Sequence, residues 1–231
     1  MSKKNIGLIT YHYPHLKTEQ VLQRLLNHRN DYKFKIFALP FKLREPRQTL
    51  IQHRPNQSRA IHPKMIADKH RIPYVMCSND RDIDDSCEIY LVLGAGILSA
   101  GCVEDKMIIN CHPGIIPVCR GLDSFKWAIY HEKPLGVTLH YLDARVDAGE
   151  IISVIPTNIY KSDSIETLAR RHYESEIEVL SRFIDYLEFP ENPYQNVDED
   201  KPTKRMPIAE EEKLISRFSI YTRKYGIIDH R

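Results

Sequence analysis

Long apolar runs are missing from this sequence of 231 residues. No stretch approaches the ~18–20 apolar residues that a membrane span requires, and the run at residues 6–10 is too short for a secretion signal. Five cysteines are present, but none are spaced as Cys-x-x-Cys, so neither a disulfide framework nor a structural zinc site is indicated. These absences predict a cytoplasmic protein that does not enter a membrane.

A strong excess of either charge is also missing. The net charge is +2, which gives no general reason to expect nucleic acid or a membrane surface as a partner. The charge is uneven locally, because residues 41–71 carry eight Lys or Arg side chains and only two acidic ones. Such a segment could face an anionic ligand, although a run of charge is usually a solvated surface.

Glycine is absent from the place where a dinucleotide or phosphate loop would need it. The first β–α turn reads Tyr11-His12-Tyr13-Pro14, without a glycine, and neither a Walker loop nor a Gly-x-Ser-x-Gly elbow occurs elsewhere. Nicotinamide-dependent oxidoreductases and serine hydrolases are therefore disfavoured. The later glycines at Gly94 and Gly96 follow an apolar strand and would allow a ligand or another backbone to approach closely.

Apolar runs alternate with helical patterns along the first four-fifths of the chain. This order predicts an α/β fold with a doubly wound, mostly parallel sheet and right-handed crossovers. We assign residues 1–188 to this core and residues 189–231 to a small C-terminal extension, a helix or hairpin that could serve dimerisation. The predicted strands are 5–10, 34–39, 73–76, 88–93, 106–110, 136–142 and 151–155, and the predicted helices are 18–28, 63–70, 123–131 and 164–187.

Two polar side chains lie at the C-terminal end of the fifth predicted strand. Asn110 and His112 are two positions apart, so they project to the same side of an extended chain. Pro113 favours that extended conformation at His112. Asp147 precedes the last predicted strand, and we expect it to converge on Asn110 and His112 at the ligand-binding edge of the sheet.

These three residue types suit acyl-type transfer through an oxyanion. A carboxamide and an imidazole can donate to developing negative charge, and a carboxylate can raise the pKa of the imidazole. Cys111 faces the opposite way and is expected to be a core thiol, so no protein nucleophile is indicated. No metal is predicted, because His112, His140 and Asp147 lack the spacing of a metal site.

Several motifs in order make the chain similar to a known family, the folate-dependent formyltransferases. The motifs are Asn110-Cys111-His112-Pro113-Gly114-Ile115-Ile116-Pro117, Arg120-Gly121, Trp127-Ala128-Ile129, Gly136-Val137-Thr138-Leu139-His140 and Asp147-Ala148-Gly149-Glu150-Ile151-Ile152. The resemblance implies N10-formyltetrahydrofolate as formyl donor and catalytic roles for Asn110, His112 and Asp147. It also implies direct attack of a substrate amine on the formyl carbon. The pterin would lie against Gly94, Ile97, Leu98, Leu142, Asp143, Ala144 and Val146.

The acceptor amine is specified less well. The first turn departs from the glycine- and serine-rich turn of the purine-pathway enzymes, and the last residues do not resemble the basic barrel of methionyl-tRNA formyltransferases. The chain most resembles the bacterial sugar N-formyltransferases, in part through the segment 202–207. This likeness implies a nucleotide-linked amino sugar as acceptor, such as a dTDP-amino-dideoxyhexose used for lipopolysaccharide and O-antigen, and a homodimer. Contacts to the acceptor are predicted for Arg54, Lys64 and Arg120.

Three alternatives remain open from the sequence. The chain could formylate another amine, of the purine ribotide or aminoacyl-tRNA type. It could be a formyltetrahydrofolate hydrolase. It could also be an inactive module that binds folate or nucleotide without turnover.

Overall fold

A computed structural model describes residues 4–28, 32–43, 45, 47–143, 147, 149–193 and 201–228. The strands are β1 (Lys4–Tyr11), β2 (Tyr32–Leu39), β3 (Tyr74–Met76), β4 (Ile89–Val92), β5 (Ile108–His112), β6 (Gly136–Tyr141) and β7 (Ile151–Pro156). The helices are α1 (Leu16–His28), α2 (Pro63–His70), α3 (Ala100–Val103), α4 (Ser124–Tyr130), α5 (Ile165–Ser181), α6 (Phe183–Glu188) and α7 (Ile208–Tyr225). A short 3-10 helix, Asp80–Asp82, precedes β4.

The seven strands form one sheet in the order β3-β2-β1-β4-β5-β6-β7. The first five strands run parallel, whereas β6 is antiparallel to both of its neighbours. The predicted α/β fold with a mostly parallel sheet is therefore confirmed. Strand β1 is buried from Ile6 to Thr10, as expected for a parallel strand covered on both faces.

The core consists of three clusters of buried side chains. One lies between the sheet and helices α1 and α5, and it contains Cys111. A second lies on the opposite face of the sheet, next to α3, and it includes Ile108 and Leu98. The third joins α4, α5 and α7 through Phe125, Leu168 and Leu214. Alternate residues of β5 thus face different clusters, which leaves Asn110 and His112 on the side opposite Cys111.

The predicted single helix at 164–187 is interrupted. Arg182 leaves helical geometry, with φ −108° and ψ 21°, and separates α5 from α6. Ser164 caps α5, because its hydroxyl accepts from the backbone N–H of Thr167. The Asp163 carboxylate is occupied by Arg171, at 2.8 Å. Apolar periodicity predicts a continuous helix here and carries no signal for the break.

Part of the C-terminal extension is helical and packs on the core. Helix α7 contacts α4, and a backbone bridge joins Thr203 to Gly121. Of the predicted helix or hairpin, the structure contains the helix, while the division at residue 188 stays a prediction. No helix within the described ranges has the length and apolar character needed to cross a membrane.

Candidate active site

Asn110 and His112 lie on the same face of β5, as predicted. His112 is 4 % exposed and Asn110 is half-buried. The partner strand β6 places His140 opposite Asn110 and Thr138 opposite His112. Directly opposite residues of an antiparallel ladder share a face. Four polar side chains therefore form a patch in an otherwise apolar part of the sheet.

The turn after β5 is held by side-chain hydroxyls. Thr138 Oγ1 donates to Gly114 O at 2.7 Å and accepts from Ile116 N at 3.0 Å. Ser124 Oγ donates to Pro113 O at 2.7 Å. Gly114 has no room for a side chain, since a Cβ there would lie 2.4 Å from Cys119 O and 2.8 Å from His112 Nε2. This tight turn fixes the backbone that follows the histidine.

Both ring nitrogens of His112 face oxygen atoms. Nε2 donates to Cys119 O at 3.0 Å, and Nδ1 lies 3.5 Å from Asp147 Oδ2. Burial lowers the pKa of His112, while the Asp147 carboxylate and the Cys119 carbonyl act in the opposite direction. The Nδ1 contact is longer than a normal hydrogen bond. Nδ1 is thus the ring atom that can serve a reacting oxygen, because Nε2 is committed to the backbone.

Asp147 reaches this patch through the loop that follows β6. Its φ is +47°, a left-handed conformation that aspartate tolerates better than most residues and that often marks functional sites. Gly121 N donates to Asp147 Oδ2 at 3.1 Å, so one carboxylate oxygen faces both this N–H and His112. Gly149 permits the tight loop, because a Cβ there would lie 1.8 Å from Tyr141 O.

His140 orients Asn110. His140 Nδ1 donates to Tyr141 O at 3.0 Å, which leaves Nε2 as an acceptor for Asn110 Nδ2 at 3.3 Å. Burial lowers the pKa of His140 to about 4, so the ring is neutral near pH 7 and keeps this tautomer. The second N–H of the carboxamide can then point to a ligand. The sequence indicates His140 only as a residue of metal-ligand type, and its place in the Gly136–His140 motif is the signal for this further role.

Arg54 lies next to this centre. It pairs with Glu176, which also accepts from Lys17 Nζ at 2.7 Å. Glu176 is 1 % exposed, whereas the Arg54 side chain is 31 % exposed. Burial lowers the pKa of Lys17 to about 7, and the positive charges of Arg54 and Lys17 both act on His112. Two basic side chains thus share one carboxylate, and both act electrostatically on His112.

The two other predicted acceptor contacts have different surroundings. Lys64 lies on the exposed side of α2, 2.5 Å from Asp68, and the structure does not bring it to the catalytic patch. Arg120 is buried, and its backbone carbonyl accepts from the N–H and the hydroxyl of Thr203. Roles in acceptor binding stay predictions for both.

The predicted pterin-binding residues are spread around one end of the sheet. Ile97 and Leu98 line a cavity of about 400 Å³, and Ile97 is 85 % exposed. Gly94 packs tightly, since a Cβ there would lie 2.8 Å from the His15 ring. Leu142 packs against the cluster that contains Leu98. The charge of Asp143 acts on His140, and Ala144 and Val146 lie outside the described residues.

The described part of the chain contains no candidate metal-binding site. Three or more His, Cys, Asp or Glu side chains do not converge there in a metal-binding arrangement. The hydrogen bonds of His112 and His140 instead suit acid–base and oxyanion chemistry.

Residues 91–184 match the family model described as formyl transferase. Within these residues the chain is similar to the formyl transferase family, and this stretch is called the formyl transferase segment below. It contains Asn110, His112, His140 and Asp147, whereas Arg54 and Lys17 lie outside it. The orientation of Asn110 by His140 and the contact of His112 with Asp147 are therefore features of the formyl transferase segment itself.

Relatives of the formyl transferase segment act on different acceptors. The chain is 30% identical over 112 residues to methionyl-tRNA formyltransferase of Syntrophus aciditrophicus, covering 48% of this chain and 36% of the relative. It is 33% identical over 81 residues to phosphoribosylglycinamide formyltransferase of Haemophilus influenzae, covering 35% of this chain and 38% of the relative. The matches thus span little more than a third of these curated relatives.

A solved structure extends the likeness beyond the formyl transferase segment. The sugar N-formyltransferase from a Shewanella species superposes with a TM-score of 0.61, over 93% of this chain and 87% of that one. The sequence identity is 15%, so the likeness establishes the shared fold.

Proposed function

We propose that this protein transfers a formyl group from N10-formyltetrahydrofolate to the amine of a nucleotide-linked amino sugar. The observation that carries the proposal is the joint placement of Asn110, His112 and Asp147, each oriented by a second protein group. His140 orients Asn110, Cys119 O orients His112, and Gly121 N holds Asp147.

The reaction begins when the free amine of the acceptor attacks the formyl carbon. A C–N bond forms, and the formyl oxygen takes on negative charge. The second N–H of the Asn110 carboxamide and the Nδ1 proton of a protonated His112 donate to this oxygen. Such preorganised donors stabilise an oxyanion strongly because they need no rearrangement during the reaction.

The tetrahedral intermediate collapses when the bond from the formyl carbon to N10 of the folate breaks. One proton leaves the acceptor nitrogen and one proton is added to N10, so the transfer is balanced without an outside acid or base. Asp147 supports this transfer, because its Oδ2 lies 3.5 Å from His112 Nδ1 and stabilises the imidazolium as charge develops.

An anionic acceptor is supported by the charges beside the patch. Lys17 and Arg54 both pair with the one carboxylate of Glu176, and Arg54 retains access to solvent. The phosphates of a sugar nucleotide would complement this excess of positive charge. Similarity in fold to a sugar N-formyltransferase over 93% of the chain adds support. Action in the cytoplasm on surface-polysaccharide precursors, and a homodimer, stay predictions.

The test is an acceptor panel incubated with N10-formyltetrahydrofolate. We expect formylation of one nucleotide-linked amino sugar. We also expect Asn110→Ala and His112→Asn to lower kcat by about 10²–10³-fold, since each removes an oxyanion donor. Near-normal turnover in His112→Asn would refute the mechanism.

The relatives decide which other acceptors belong in the panel. Methionyl-tRNA and phosphoribosylglycinamide are included because the curated relatives are named for them. Preferred turnover of either would replace the sugar acceptor. Release of formate without any amine would identify a hydrolase, and folate binding without turnover would identify an inactive module.

A further inference from the structure

One buried carboxylate joins three separate parts of the chain. Glu211 of α7 is 0 % exposed, and its Oε1 lies 2.5 Å from Nζ of Lys126, a residue of α4 that is 1 % exposed. Its Oε2 accepts from Leu50 N at 2.6 Å and from Ile51 N at 3.2 Å. The carboxylate thus ties the segment of residues 47–54, here called the acceptor loop, to helix α4. Helix α4 in turn holds the turn after β5 through the bond from Ser124 Oγ to Pro113 O.

The acceptor loop has little regular structure of its own. Its order therefore depends on contacts with other elements, because fixing an irregular segment costs conformational entropy. Arg47 donates to Met206 O at 2.9 Å, and Ile51 is buried in the cluster that contains Leu214. Both anchors belong to the last thirty residues of the chain. The far end of the loop is held by the pair of Arg54 with Glu176.

Packed rings connect the acceptor loop to the turn that follows β5. His53 stacks on Phe125 with ring centres 5.8 Å apart, and Phe125 contacts His172 at 5.4 Å. His172 accepts from Thr157 Oγ1 at 2.8 Å through Nδ1 and donates to Pro113 O at 3.2 Å through Nε2. Pro113 directly follows His112. These ring contacts place the acceptor loop beside the turn that follows β5.

We propose that Glu211 is a positioning residue which fastens the acceptor loop, so that Arg54 meets the anionic part of the acceptor. The proposal rests on the function proposed above. Glu211 acts through the loop and touches no reacting group. Loosening the loop should weaken binding of the acceptor more than binding of the folate, whose predicted contacts lie at Ile97, Leu98 and Leu142.

A matched pair of double variants isolates this role. Removing one partner of a buried ion pair strands a charge, whereas replacing both with neutral groups is often tolerated. Lys126→Met with Glu211→Gln removes the charges and keeps an oxygen for the loop N–H groups. Lys126→Met with Glu211→Leu removes the charges and that oxygen together. Glu212→Gln on the exposed side of α7 is the control.

We expect the leucine double variant to raise the acceptor KM about tenfold relative to the glutamine double variant, as for one lost hydrogen bond. The kcat should differ by less than about twofold between the two variants, and so should the folate KM. A twofold change corresponds to less free energy than one neutral hydrogen bond contributes. Amide hydrogen exchange at Leu50 and Ile51 should be faster in the leucine variant. Equal acceptor KM values in the two variants, or a parallel rise in the folate KM, would refute the positioning role.

Hydrogen exchange separates this proposal from the proposed function. If the wild-type protein formylates no acceptor of the panel, the proposed function fails and no acceptor KM exists. Amide hydrogen exchange then tests by itself whether Glu211 fastens the acceptor loop, because the measurement needs no substrate. Unchanged protection of Leu50 and Ile51 in the leucine variant would refute the fastening, whereas faster exchange there would support it.

Discussion

Gly114→Ala should inactivate the site without altering any predicted catalytic side chain. The new Cβ would lie 2.4 Å from Cys119 O, 2.8 Å from His112 Nε2 and 2.8 Å from Ser124 Cβ. The nearest of these atoms belongs to the backbone, so it cannot move aside as the tip of a flexible side chain could. Either the carbonyl retreats or the imidazole turns.

The size of the effect follows from these distances. Cys119 O must retreat by roughly 1.0–1.6 Å to reach an ordinary contact with the new Cβ. That movement breaks the 3.0 Å hydrogen bond that fixes His112 Nε2. Misplacing a catalytic group by such a distance costs about 10²-fold in rate. Overpacking costs about 1–3 kcal/mol, which for a chain of this size lowers Tm by roughly 2–12 °C.

The assay compares formyl transfer and thermal unfolding in Gly114→Ala with those in Gly101→Ala. Gly101 lies in α3, and a Cβ there meets nothing within 4 Å. Alanine at 101 should leave kcat unchanged and be neutral or stabilising by up to about 1 kcal/mol. If Gly114→Ala kept kcat within a few-fold of wild type, the tight turn would not be what orients His112.

Two further expectations concern buried histidines. His140→Ala should lower kcat about 10–100-fold, because Asn110 loses the acceptor that orients its carboxamide, and His140→Gln should recover part of the loss; equal kcat in alanine and wild-type proteins would contradict this role. Acid should destabilise the fold, since burial lowers the pKa of His140 to about 4 and of His172 to about 3. The unfolded chain then binds more protons below about pH 6.5, so the free energy of unfolding should fall by up to ~1.4 kcal/mol per histidine per pH unit from there towards pH 4. Urea unfolding at several pH values measures that slope, and a flat profile between pH 6.5 and 4.5 would contradict the buried neutral state.

The placement of Asn110 and His112 could be predicted because it depends on local rules. Asn110 and His112 share a face because side chains alternate along a strand, and Pro113 keeps His112 extended. The role of His140 was harder to foresee. It depends on the antiparallel register that sets His140 opposite Asn110, and on the Tyr141 carbonyl that selects the tautomer. Neither is visible in the spacing of residues along the chain.

The charged residues of segment 41–71 show where composition fails as a guide. Arg54 and Lys64 belong to the same basic stretch, yet Arg54 pairs with a buried carboxylate beside the catalytic patch and Lys64 pairs with Asp68 on an exposed helix. A local excess of positive charge shows that basic residues are present in the segment and does not show where each side chain lies. It carries no information about Glu176, 122 positions away, which decides where Arg54 lies.

The two halves of the site therefore differ in how the chain specifies them. The patch around His112 is built from β5, β6 and their loops, all inside the formyl transferase segment of residues 91–184. The acceptor loop is outside that segment and is fastened by Glu211, 161 positions from Leu50. Contacts this distant in sequence can change without disturbing the turn at Gly114. Relatives that share the same formyl transfer chemistry are thereby free to differ in acceptor, which is why the motifs around His112 predict the reaction better than they predict the amine.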